Sequence, residues 1–308
     1  MKNSFYNPGE NRIPALFRII GFVFLFLFFT GIPTLIPFPL AVYITQSLLA
    51  LILFYGFFRY VDKRHWQYSG LIINKTWLKE CAVGIMIAAA TMGLIFLTQW
   101  QTGTLEITGY GWERSFEQGW LMAFVFFSVR MISVGFYEEL MTRGYLIPNI
   151  TEGFTLGKIT PQKATIIAIT VSSALFGIMH AGNPNASVTA VINIFLAGVM
   201  LAVPFVLTGR LALSIGIHFS WNFFQAGIFG FRVSGLEVRS SLIQIQQGGS
   251  DWWTGGAFGP EAGVIGILGI LLILATTLLY LKWSGKKLEF SDQFKSTFQT
   301  LNAPHSSE

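Results

Sequence analysis

The chain has 308 residues, of which 53% are hydrophobic and only 11% are Asp, Glu, Lys or Arg. Soluble domains carry about 25% charged residues, so this composition, with 30 Phe and a mean hydropathy of +0.58, excludes an ordinary soluble enzyme and leaves an integral membrane protein. A single Cys excludes a disulfide framework and a thiolate-cluster metal site, and the formal +5 charge is spread along the chain instead of forming the compact basic patch of a nucleic-acid binder.

Lipid offers no partner to an unpaired backbone group, so apolar runs of roughly 18 or more residues are read as helices. In chain order they fall at about 16–32, 39–58, 81–99, 119–149, 164–181, 188–208, 211–229 and 262–282, which predicts an all-α polytopic bundle of about eight transmembrane helices. The first run is long for a signal peptide, and Pro33, Pro37 and Pro39 follow it without a small-residue cleavage site, so it is expected to be retained. The stretch 59–80 intersperses Leu71, Ile72, Ile73, Trp77 and Leu78 with Asn74, Lys75 and Lys79 and reads as an interfacial segment. The loop 100–118 carries Glu106, Glu113 and Glu117, and the loop 230–261 is rich in Gly. Trp66, Trp77, Trp112, Trp120, Trp252, Trp253 and Trp283 fall near predicted span ends, where indole suits the interface. Residues 1–283 are expected to form one transmembrane domain without internal repeats, and 284–308 a polar cytoplasmic tail that adds little to the fold.

Charge assigns the sides. Arg114, Arg232 and Arg239 lie on one side and Arg130 inside a span, and all other Lys and Arg fall on the opposite side. That asymmetry places both termini in the cytoplasm and favours an even number of spans.

The chemistry resides in ionisable groups within the spans, where each costs at least a few kcal/mol unless paired or hydrated. Glu138 and Glu139 lie in Tyr137-Glu138-Glu139-Leu140-Met141-Thr142-Arg143, His180 closes Phe176-Gly177-Ile178-Met179-His180, and His218 and Asn222 frame His218-Phe219-Ser220-Trp221-Asn222. Glu139 and Arg143 are four apart, the favourable order for an ion pair on one helical face, and Glu138 points elsewhere. Phe176 and His180 share a face, as do His218 and Asn222. A carboxylate beside imidazoles can hold and deprotonate water, while a second His and an amide can donate hydrogen bonds to an oxyanion. Glu and two His are equally zinc donors, although the chain has no His-Glu-x-x-His motif. Straight-helix arithmetic leaves the two histidines about 13 Å apart in depth, a gap that tilt and error in the helix boundaries can largely close.

These three segments, in this order, resemble the CPBP family of intramembrane proteases, which includes the CAAX prenyl-endopeptidase type and bacterial relatives linked to bacteriocin processing or self-immunity. The family's paired glutamates and arginine are similar to Glu138, Glu139 and Arg143, its phenylalanine and histidine to Phe176 and His180, and its histidine and asparagine to His218 and Asn222. The resemblance implies that Glu138 and His180 activate water and that His218 and Asn222 stabilise the oxyanion. Glu139, Arg143 and Phe176 take supporting places. It leaves zinc as an open cofactor question and implies no organic cofactor. A membrane-associated peptide or protein is the implied substrate, with the lipid bilayer as surroundings. Short basic loops suit a bacterial plasma membrane. Two other readings compete: a proton-coupled transporter, which would use intramembrane Glu and His as a relay but for which no inverted repeat is found, and a non-proteolytic immunity or scaffold protein. No feature of the sequence marks an oligomeric state.

Overall fold

The computed structural model describes residues 12–155 and 159–296, so Lys2, Lys158 and the tail beyond Ser296 lie outside the described residues. The fold is a largely helical membrane bundle. Its main helices are α1 (Ala15–Gly31), α2 (Pro39–Gly56), α3 (Lys75–Gln101), α4 (Trp120–Glu139), α5 (Ile147–Thr155), α6 (Pro161–Met179), α7 (Val188–Thr208) and α8 (Ala212–Asn222), followed by the short α9 (Asp251–Thr254), then α10 (Val264–Trp283) and the short α11 (Asp292–Lys295). Among the described residues, seven stretches are long and apolar enough to cross a membrane; α4 and α5 count as one, Trp120–Thr155, because a π-helix joins them.

The eighth expected stretch, 211–229, is also helical but is built differently. It consists of the 11-residue α8 and a π-helix from Phe223 to Ile228, and Ser214, Gly216, Ser220 and Asn222 dilute its apolar character. Protein encloses it: every residue from Leu211 to His218 is buried. Gly216 explains how a helix fits there, because a Cβ at this position would lie 2.3 Å from the carbonyl oxygen of Cys81 in α3. Small residues permit this backbone approach where lipid supplies no hydrophobic drive between helices.

Large apolar side chains point outward along the long helices, among them Phe24, Leu94, Leu121, Ile132 and Ile178. Inside, one core joins Phe22, Phe54, Phe58, Tyr145 and Phe205, with Phe22 and Tyr145 stacked at 3.6 Å between centroids. A second core gathers Met92, Ile95, Leu213, Ile217, Trp221 and Ile273 from α3, α8 and α10. Buried ion pairs lock one end of the bundle. Arg18 of α1 bonds Asp62 and Glu152, and Arg64 reaches Glu152 at 2.7 Å, so the α2–α3 connector, α1 and α5 are tied together.

Three local expectations change. The α3 helix begins at Lys75, well before 81, because Asn74 caps it by accepting a hydrogen bond from Trp77 N at 2.9 Å. The loops 100–118 and 230–261 pair through β1 (Leu105–Tyr110) and β2 (Ile243–Gln247), an antiparallel ribbon with Ile107 opposite Ile245 that adds strand to an otherwise helical fold. The described part of the tail also packs: Phe294 of α11 is fully buried, edge-on to Phe205 at 5.4 Å, and Ser291 N donates to Val206 O at 2.8 Å.

Candidate active site

The carboxylates stand where α4 ends. Glu138 and Glu139 occupy its last two positions, and the chain then widens into the π-helix Leu140–Leu146. Such bulges redirect side chains and recur at functional sites. Across from it, Ser172 Oγ of α6 donates to the Thr142 carbonyl at 2.6 Å. The second histidine segment is built alike, with Asn222 closing α8 immediately before the π-helix at 223–228. The approach of α4 to α8 depends on Gly135, where a Cβ would fall 2.9 Å from Phe219 N.

Glu139 is fully buried and lies at the centre of a chain of contacts. Its Oε1 accepts from Arg143 Nη1 at 2.9 Å and lies 2.8 Å from His218 Nδ1. Arg143 Nη2 donates to the Gly198 carbonyl at 3.0 Å, and the guanidinium lies 4.5 Å from the centre of the Phe176 ring. Glu138 points away from this chain, and its Oε2 is 3.8 Å from His218 Nε2. That oxygen is buried and has no hydrogen-bond partner among the described residues.

His180 sits one residue beyond α6. Its Nδ1 is 2.8 Å from the Phe176 carbonyl, and because a carbonyl only accepts, Nδ1 bears a proton, which in the neutral ring leaves the lone pair on Nε2. The Phe176 ring meets His180 at 4.9 Å and His218 at 5.8 Å, both edge to face. Both histidines thus meet one ring, which brings them nearer than the expected separation in depth. At the start of α8, Leu211 N donates to Gly70 O at 3.0 Å, where both residues are buried.

Glu138, Phe176, His180, His218 and Asn222 line one cavity of about 260 Å³. Glu139 and Arg143 stand behind it. The Asn222 amide makes no protein hydrogen bond among the described residues and is open to the cavity. The wall formed by α4 packs on α2 and α8, and that formed by α6 on α5 and α7; α4 and α6 scarcely touch each other. The cavity occupies the space between them.

Sequence analysis gave Glu261 no role in the site, yet it lines the same cavity. Its Oε2 accepts from Ser234 N at 2.6 Å and Ser234 Oγ at 3.2 Å. Burial pushes its carboxyl up, against the opposing pull of the Ser234 backbone hydrogen bond and of nearby His180. This residue closes the glycine-rich run Gly255-Gly256-Ala257-Phe258-Gly259-Pro260-Glu261. There Gly259, at φ +111, has the Arg232 carbonyl 2.1 Å from where a Cβ would be, so only glycine permits the turn that delivers Glu261.

The zinc alternative finds no support in the donor arrangement. Among the described residues no group of three or more His, Cys, Asp or Glu side chains is placed to hold a metal.

A family profile described as "Rce1-like: Type II CAAX prenyl endopeptidase Rce1-like" matches residues 118–224. That interval runs from the start of α4 through α8. No curated protein and no solved structure matches the chain.

Proposed function

We propose, on the premise that residues 118–224 form an Rce1-like CAAX-protease family domain, that this chain is an intramembrane endopeptidase acting on a membrane-associated peptide or protein. The observation that carries the reading is the shared cavity of Glu138, His180, His218 and Asn222.

Water held between Glu138 and the lone pair of His180 Nε2 gives a proton to Glu138 as its oxygen attacks the scissile carbonyl. The tetrahedral oxyanion then takes hydrogen bonds from His218 Nε2 and the Asn222 amide. Glu138 returns the proton to the leaving amine as the C–N bond breaks, so the carboxylate is regenerated and no covalent intermediate forms. With Nδ1–H turned to Glu139, His218 has a proton on Nε2 only as an imidazolium. In that form Glu138, Glu139, Arg143 and His218 together carry no net charge, which suits a cluster surrounded by lipid and apolar protein. The space between α4 and α6 suits a substrate segment that arrives within the bilayer.

The test uses purified protein in liposomes with a quenched fluorogenic, farnesylated peptide ending in a CAAX sequence. Glu138→Gln is expected to lower the cleavage rate by about 100-fold or more while thermal unfolding in detergent stays unchanged. Wild-type rates in a folded Glu138→Gln protein would refute the reading.

A further inference from the structure

Among the described residues, the buried and half-buried arginines follow a rule that one half-buried residue breaks. Arg12, Arg18 and Arg64 share Glu152, Arg143 is paired with Glu139, and Arg210 with Glu80. Arg130 has no ion-pair or hydrogen-bond partner among the described residues; its guanidinium lies 5.9 Å from the centre of the Tyr43 ring. It is the eleventh residue of α4, about 15 Å along the axis from Trp120. That is deeper than an arginine side chain can escape by snorkelling toward an interface. Its side chain instead lines the cavity that holds Glu138.

A guanidinium is always charged and offers five N–H donors in a planar fork. Tyr43 uses one face through a cation–π contact and leaves those donors for a guest. An unpaired intramembrane cation facing a cavity marks a substrate path, and the group that matches the fork is a carboxylate. Eight residues separate Arg130 from Glu138 on the same helix, about 12 Å along the axis. Arg130 is therefore too remote to touch the reacting carbonyl when the substrate lies against Glu138.

We propose that Arg130 binds a carboxylate of the substrate and so selects anionic peptides, a specificity role that rests on the endopeptidase reading above. The carboxylate has two sources, a free C-terminus or an acidic side chain. The test separates both from catalysis by measuring binding in the Glu138→Gln protein, where no turnover is required. The probes are one fluorescein-labelled farnesylated peptide with a free C-terminal carboxyl, its C-terminal amide, and the amide with a single glutamate inserted. Affinity is read by anisotropy in nanodiscs.

A peptide carrying a carboxylate is expected to bind about tenfold or more tightly than the neutral amide, as for a hydrogen bond to a charged group. Adding Arg130→Gln removes that difference, and Arg130→Lys restores part of it because a point charge replaces the fork. Tighter binding of the free acid alone identifies the chain terminus as the source, and tighter binding of the glutamate amide identifies a side chain. Equal affinity for all three probes, or a preference that survives Arg130→Gln, overturns the proposal. Neither result bears on whether Glu138 activates water, which the cleavage assay decides.

Discussion

Glu139 shows how one buried carboxylate organises the site without lining its cavity. It holds Arg143 on one side and His218 on the other, and both partners are themselves buried. Removing one partner of such a pair leaves an uncompensated charge at a cost of about 3–5 kcal/mol. Arg143→Met is accordingly expected to lower the melting temperature sharply in detergent. The double variant Arg143→Met with Glu139→Gln should recover most of that loss, yet cleave poorly because His218 Nδ1 no longer meets a carboxylate. Full activity in the double variant would show that Glu139 does not set the imidazole. The Glu139–Arg143 pair was legible in the sequence, since four-residue spacing within one helix is sufficient to find it. The second contact, to His218, crosses between helices and was not.

Among the elements, α8 decides where the histidine stands. It is short, polar for a membrane helix and almost wholly enclosed, and Gly216 lets its backbone rest on that of α3. Gly216→Ala would place a methyl against the Cys81 carbonyl, which backbone cannot accommodate without moving. We expect a stability loss of about 1–3 kcal/mol together with a fall in cleavage rate beyond what the unfolded fraction explains, because His218 lies two residues on and moves with the helix. Unchanged thermal stability and unchanged cleavage in Gly216→Ala would show that α8 tolerates a wider separation. Hydropathy found the segment but not its enclosure, since composition reports an apolar run and not what packs around it. The β1–β2 ribbon was hidden for a related reason. Its strands are short and far apart in the chain, so neither segment alone signals pairing.

At the scale of the whole molecule, α4 and α6 are held together near the π-helix of 140–146 and part beyond it, with the cavity in the gap. Val134 of α4 and Met179 of α6 both line that cavity. Cysteines at these two positions, in a Cys81→Ser background, should be joined by a reducible bifunctional thiol reagent. Joining them is expected to stop cleavage of the lipid-anchored probe, and reduction to restore it. Undiminished cleavage in the cross-linked protein would mean that substrate enters elsewhere. The bundle and its helix order could be anticipated from apolar length, but the convergence of its three polar segments could not. Straight-helix arithmetic set the two histidines about 13 Å apart in depth, and only the family resemblance implied a shared site. Glu261 could not be placed, because its position depends on a turn whose glycines matter only in three dimensions.

The ribbon has a consequence for biosynthesis. A ribosome delivers β1 five helices before its partner β2, and Glu261 later still. A nascent chain can thus insert every helix that bears Glu138, His180 and His218 while one wall of the cavity is still missing. The cavity is therefore completed only after the helices that carry its polar groups, once the segment bearing β2 and Glu261 has been made.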